Sequence, residues 1–260
     1  MLLVALRVES GDNLLFVLDT GAPFTLLDNS LEPKLEKPLS SRKIHSPYGD
    51  LPGRFHKTPK LYLDDVQLQT GNKVMTVDLS RVADDLNRMT SSNGRVAGVL
   101  GMDCLQHYCI QLDFAARKLR FLNPENMGNA DLGTAFPMTI SRGAAFVSQN
   151  LLGIKEVKSE IDTGCNSDGV LTPGLFQQWT NQALSIPGHE VSFPNGIFGG
   201  RVYTNLILTG DGPNLLGLRF LARHLVTLNF PKRMAYLKRI GAAMASPLHP
   251  AAQGGVHSAR

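Results

Sequence analysis

Two aspartates stand out for the residues that surround them. Asp19 ends the apolar, strand-like run of NLLFVLDTGAPFTLLD (13–28) and is followed by Thr20 and Gly21. Asp162 sits in SEIDTGCNSDGVL (159–171) and is followed by Thr163 and Gly164. A carboxylate in such a run loses several kcal/mol of hydration unless it is hydrogen-bonded, paired or protonated. Two carboxyls brought together cannot both ionise cheaply, so the pair holds one shared proton over a range of pH. One member is then a base and the other an acid. That pair can activate a water, attack an amide carbonyl and protonate the leaving nitrogen. Glycine lets backbone N–H groups approach each carboxylate closely, and the threonine hydroxyl can lock the turn from behind.

A lone Asp-Thr-Gly arises by chance in a chain of this size on the order of a few per cent of the time, so the weight lies on the repetition. The two tripeptides are 143 residues apart. A second block, GVLGMDCLQHYCIQLDFAARKLRFL (98–122), recurs as NLLGLRFLARHLVTLNFPKRMAYLK (214–238) with an offset of 116 residues. Gly101 thereby matches Gly217, Leu105 matches Leu221, and Phe114 matches Phe230. Both blocks occur in the same order, which marks an internal duplication. The second copy is shorter between its blocks by 27 residues, so the first must carry extra loops or a hairpin within 29–97.

Each copy predicts the same elements. LLVALRV, the turn SGDN and LLFVL read as a hairpin leading into the first Asp-Thr-Gly turn. MDCLQHY reads as a short helical piece, and IQLDF with KLRFL as a second hairpin around AAR, repeated as HLVTLNF, PKR and MAYL. The expected division is a first lobe over 1–124, a linker over 125–137 rich in Gly, Pro and Asn, a second lobe over 138–239, and a disordered tail over 240–260.

Composition narrows the function classes. The 260 residues are 43% hydrophobic and 18% charged, with 25 Gly and 15 Pro, which suits a globular chain of short strands and turns. No apolar run approaches a membrane span, and no export signal is visible in the sequence as it stands, so a soluble protein is expected with its compartment open. Three cysteines (Cys104, Cys109, Cys165) form neither a disulfide framework nor a zinc pattern, and the seven histidines are dispersed. No metal and no cofactor are expected. Net charge is +4, and no acidic residue follows Asp211. That basic stretch reads as a solvated face rather than a nucleic-acid or membrane patch, because no aromatic interleaving or recognised module accompanies it.

The two Asp-Thr-Gly turns, each followed by a hydrophobic-hydrophobic-Gly block, resemble those of single-chain, two-lobed aspartic proteases of the pepsin and retropepsin superfamily. The resemblance covers roughly residues 1–239. It implies an all-β, bilobal pepsin-like fold, with two pseudo-symmetric barrel-like lobes and an active-site cleft between them. It implies that Asp19 and Asp162 are the catalytic dyad and that Thr20 and Thr163 cross-brace the turns. Gly21 and Gly164 would allow close backbone approach, and Gly101 and Gly217 would cradle the turns. SPYGDLPGR (46–54) and FPNGIFGGR (193–201) lie where a flap is expected, with Tyr48 as the flap tyrosine. The substrate implied is an extended peptide or protein, and the protein is expected to be a monomer because one chain supplies both aspartates. Where many pepsin-like members carry Ser or Thr after Asp-Thr-Gly, this chain has Ala22 and Cys165. Losing a hydroxyl donor to the charged form is expected to raise the titration of the pair.

The main rival reading is a catalytically silent relative that binds an extended peptide in the same cleft. A structural or nucleic-acid-associated role for the basic C-terminal half has only its charge behind it. A serine hydrolase is disfavoured, since no G-x-S-x-G elbow occurs.

Overall fold

The computed structural model describes residues 1–46, 49–90, 95–127, 131–180 and 188–240. Tyr48 and the tail from residue 241 lie outside the described residues. Strands dominate the chain and form two sheets, one of nine strands and one of eleven.

The duplication is visible as a repeated strand order. In the first half the order is Gly49–Lys57, Lys73–Val77, Leu26–Asp28, Val96–Leu100, Asn13–Leu18, Leu3–Val8. In the second it is Val191–Phe198, Arg201–Thr209, Gly169–Val170, Leu215–Leu216, Ser159–Ile161, Ala144–Val147. The core of each half is the same crossing. Asn13–Leu18 runs parallel to Val96–Leu100, which is antiparallel to Leu26–Asp28. Ser159–Ile161 runs parallel to Leu215–Leu216, which is antiparallel to Gly169–Val170. Each aspartate therefore follows the last residue of a central strand.

The predicted first hairpin forms, with Leu3 opposite Val17 and Arg7 opposite Asn13. Among the described residues, the elements found in the first copy alone are the strand Ser40–Ser46 paired with Gly49–Lys57, a small hairpin (Leu61–Leu63 with Val66–Gln67) and the helix Ser80–Thr90. By strand order, Val191–Phe198 and Arg201–Thr209 stand where Gly49–Lys57 and Lys73–Val77 stand in the first half. The stretch 193–201 thus lies largely in the strand equivalent to Gly49–Lys57, at the end that leads into the equivalent of Lys73–Val77. Its tip is also tied down, since Ile197 N–H donates to the Leu151 carbonyl at 2.9 Å and the Phe198 ring meets Phe136 and Phe220.

The second hairpin of each copy joins the halves. Cys109–Asp113 pairs antiparallel with His224–Asn229 in the eleven-stranded sheet. Gln111 and Thr227, equivalent residues of the two copies, face each other, and Gln111 Nε2 donates to Thr227 Oγ1 at 3.0 Å. The pairs on either side, Cys109 with Asn229 and Asp113 with Leu225, exchange under the same rotation. A local two-fold axis therefore passes between Gln111 and Thr227. Each hairpin turns through an arginine in the left-handed region, Arg117 and Arg233, both with φ of 52°.

The strand Thr134–Ser141 begins inside the stretch read as a linker, and it pairs with Met234–Arg239. The Gly/Pro/Asn composition marks a break in the chain, but the apolar alternation beyond it still finds a sheet edge. The main core cluster runs through both halves, from Val4 to Leu237. Cys104 is buried in it and Cys109 is buried as well; burial pushes the two thiols up to about 12 and about 11.

Phe220 is fully buried, and its ring meets Phe198, Tyr203 and His224 at 5.0–5.2 Å. Phe220→Ala is expected to destabilise the chain by about 3–5 kcal/mol in urea denaturation. A loss under about 1 kcal/mol would mean that this aromatic cluster does not anchor the second half.

Candidate active site

The two Asp-Thr-Gly turns meet. Thr20 N–H donates to Thr163 Oγ1 at 3.0 Å, and Thr163 N–H donates to Thr20 Oγ1 at 3.0 Å. Each hydroxyl also donates across the boundary, Thr20 Oγ1 to the Ile161 carbonyl at 2.6 Å and Thr163 Oγ1 to the Leu18 carbonyl at 2.8 Å. A hydroxyl has one proton and two lone pairs. Here each proton goes to a carbonyl and one lone pair to an amide of the opposite half. Both threonines are fully buried, so these bonds have no competing water.

This interlock sets the carboxyls against each other. Asp19 Oδ1 accepts from Gly21 N–H at 2.8 Å; Asp162 Oδ1 accepts from Gly164 N–H at 2.7 Å and from Cys165 N–H at 3.2 Å. A Cβ on Gly21 would fall 2.6 Å from Asp162 Oδ1, and one on Gly164 would fall 2.7 Å from the Asp19 carboxyl. Only glycine fits at either place, because each carboxyl lies over the opposite turn. The two carboxyls lie close enough for each to act on the other's titration.

Burial, and then the charge of Asp162, push Asp19 up to about 7, against the pull of the Gly21 and Ala22 amides. Burial also raises Asp162, opposed by the Gly164 and Cys165 amides. Both effects favour a pair that keeps a proton as pH rises toward about 7. Desolvation and the neighbouring carboxyl are the leading causes of the Asp19 elevation. The Cys165 thiol is turned to Ser167 Oγ at 3.2 Å.

Gly101 and Gly217 support the turns as the repeat suggests. A Cβ on Gly101 would lie 2.4 Å from the Phe24 carbonyl oxygen, and one on Gly217 2.3 Å from that of Ser167. The next residue in each case ties the turn down: Met102 N–H donates to the Ala22 carbonyl at 2.8 Å, and Leu218 N–H to that of Cys165 at 2.7 Å.

Outside the turns the symmetry breaks chemically. Thr25 donates its N–H and hydroxyl to Asp103 Oδ1, each at 2.7 Å. The equivalents in the second copy are Asp168 and Arg219. The anion there belongs to the loop and is fully buried, held by Arg219 at 3.2 Å and Arg223 at 3.0 Å. It also accepts from Ile207 N–H at 2.8 Å.

One residue of the neighbourhood goes unmarked in the sequence reading. Glu160 is half-buried, and burial together with the charges of Asp162 and Asp19 pushes it up to about 7. Strand alternation could have found it, since it stands two residues before Asp162 and so shares its face. A pocket of about 540 Å³ opens beside the first turn, lined by Phe24, Phe55, Arg42, Lys73 and Asp103 among others; neither Asp19 nor Asp162 lines it. Among the described residues no group of three or more His, Cys, Asp or Glu is arranged to hold a metal ion. Nor, among them, is any helix long and apolar enough to cross a membrane.

No model of a known protein family matches the chain, and no curated protein matches its sequence. Among solved structures, Basic 7S globulin from soybean superposes with a TM-score of 0.52 at 13% identity, covering 91% of this chain and 90% of that one. At that identity the likeness shows the fold alone, which is bilobal, all-β and pepsin-like. A retropepsin-like aspartic protease from Rickettsia conorii matches at 18% identity and a TM-score of 0.33, over 40% of this chain and 87% of its own.

Thr20→Val would leave the Ile161 carbonyl and the Thr163 N–H buried without partners, and Thr163→Val would do the same to Leu18 and Thr20. Each is expected to cost about 2–4 kcal/mol in urea denaturation. Loss in only one of the two would contradict a symmetric brace. A second expectation concerns pH. Asp19 titrates at about 7 in the fold and at about 4 in an unfolded chain. Between those values the fold keeps a proton that the unfolded chain has released, so stability falls as pH rises from about 4 to about 7. Asp19→Asn removes that loss and is expected to exceed the parent by about 1–3 kcal/mol at pH 8, with little difference at pH 4. An equal difference at both pH values would show that the pair does not share a proton.

Proposed function

We propose that this chain is an aspartic endopeptidase that hydrolyses peptide bonds through the Asp19/Asp162 pair. The reading rests on one observation: the two Asp-Thr-Gly turns interlock so that two desolvated carboxyls face each other and share a proton.

In this reading the ionised carboxyl takes a proton from a water held between the two, and the water oxygen attacks the scissile carbonyl carbon. The protonated carboxyl gives its proton to the carbonyl oxygen as the tetrahedral intermediate forms. The carboxyl that took the water proton then gives it to the nitrogen as the C–N bond breaks. The other takes a hydroxyl proton of the intermediate as the carbonyl re-forms, so the pair again holds one proton. The glycines matter because their N–H groups hold the carboxylates without a side chain in the way. The substrate is a peptide or protein segment in extended form, lying along the cleft. The pocket beside Phe24 and Phe55 offers room for one of its side chains. Both aspartates come from one chain, so the active unit is a monomer; no cofactor, metal, nucleic acid or membrane enters the reading.

The test is digestion of a denatured protein across acidic to neutral pH, beside Asp19→Asn and Asp162→Asn, with and without a statine-type inhibitor. Each substitution is expected to lower kcat/KM by about 10³-fold or more. The rate is expected to fall as pH rises through about 7, where the pair loses its shared proton. Cleavage that survives both substitutions would end the assignment. Peptide binding without any cleavage would leave the cleft as a binding groove.

A further inference from the structure

The two halves present different residues on the face that carries each aspartate. Val17 and Glu160 are equivalents, each two residues ahead of its aspartate and so on the same side of the strand. Val17 is 4% exposed and lies in the smaller apolar cluster with Met75, Val77 and Val99, against which Met1 and Ala22 are packed. Glu160 lies in a central strand, its backbone paired with Phe146 on one side and Leu215 on the other. Its neighbours Ser159 and Ile161 are buried on the opposite face, while Glu160 is half-buried beside the dyad.

Among the described residues none donates a hydrogen bond to the Glu160 carboxyl or forms an ion pair with it, and the charges acting on it are those of Asp162 and Asp19, both of its own sign. A half-buried carboxyl without a donor, next to two others, is disfavoured where its counterpart is a valine. A cation delivered from outside would reverse that balance: it would supply the missing partner, favour the ionised glutamate and meet a concentrated negative potential. Lys and Arg side chains have the reach and the apolar stem to enter a partly buried site with the charge leading.

We infer that Glu160 is a specificity determinant that accepts a lysine or arginine side chain of the substrate beside the scissile bond, on the side of the second half. This rests on the protease reading for the location of the scissile bond, and it deepens that reading by naming a substrate class. Because Val17 stands at the equivalent place, the preference is one-sided: a cationic residue is wanted on one side of the cut only.

Two measurements test it. In the first, a denatured protein mixture is digested and the fragment ends are sequenced. Lys or Arg is expected to be enriched at one position next to the cut, and Glu160→Gln is expected to lower the lysine-to-norleucine ratio of kcat/KM about tenfold or more. The second needs no catalysis. Reduced-amide peptides that differ only by lysine or norleucine at each position flanking the reduced bond are titrated calorimetrically into the full chain and into Glu160→Gln. The lysine peptide is expected to bind the parent about tenfold more tightly at one position, with the preference lost in the variant. Equal affinities in the parent, or a preference untouched by Glu160→Gln, would overturn the assignment. So would a variant whose pH profile moves while the lysine-to-norleucine ratio stays. If the parent binds lysine peptides selectively but cleaves nothing, the protease reading fails and the role of Glu160 stands.

Discussion

Two buried threonine hydroxyls, each bonded to the backbone of the opposite half, hold the centre of this molecule. Thr20 and Thr163 bring together two turns that lie 143 residues apart. A surface hydrogen bond contributes little because water competes for both partners, but here both residues are fully buried and a broken bond would leave an amide or a carbonyl unpaired. The interlock therefore tolerates little relaxation, and the carboxyls one residue away are held in contact although their charges repel. The shared proton is the consequence. It lets one buried pair carry a single charge, and in the proposed reaction it would divide the labour of acid and base between two chemically identical groups.

The same rotation that relates the threonines relates Gln111 to Thr227 in the central ladder, so turns and sheet share one pseudo-symmetric frame. That frame constrains the backbone far more than the side chains. Thr25 with Asp103 in one half becomes Asp168 with Arg219 and Arg223 in the other, and the two arrangements brace equivalent loops with the anion moved from one element to its neighbour. Val17 and Glu160 diverge in the same way. Duplication provided two equal scaffolds, and substitution made the side chains at equivalent places unequal.

Much of this was legible in the residues because the chain repeats itself. The Asp-Thr-Gly turns, the supporting Gly101 and Gly217 and the hairpins around AAR and PKR are short-range patterns, fixed by strand alternation and turn chemistry. Other features were not legible. The linker reading over 125–137 ran into the strand Thr134–Ser141, because a loop-like composition does not reveal whether a sheet edge waits nearby. The stretches 46–54 and 193–201 share a strand position, but 193–201 lies at the end that leads into the next strand, which only the sheet order reveals. Asp168 gave no sign of its arginines, which come from a helix and loop some fifty residues further on.

By itself the sequence determined that there are two equivalent carboxyl turns, the strands that precede them, and glycine where a side chain would collide. These follow from local rules and from identity between the copies. Only the tertiary structure decided that the turns meet, that burial and the charge of Asp162 raise Asp19, and that Glu160 lies beside them. The reason is physical. Desolvation and charge–charge repulsion depend on what surrounds a group in space, and for these three carboxyls the decisive neighbours come from distant parts of the chain.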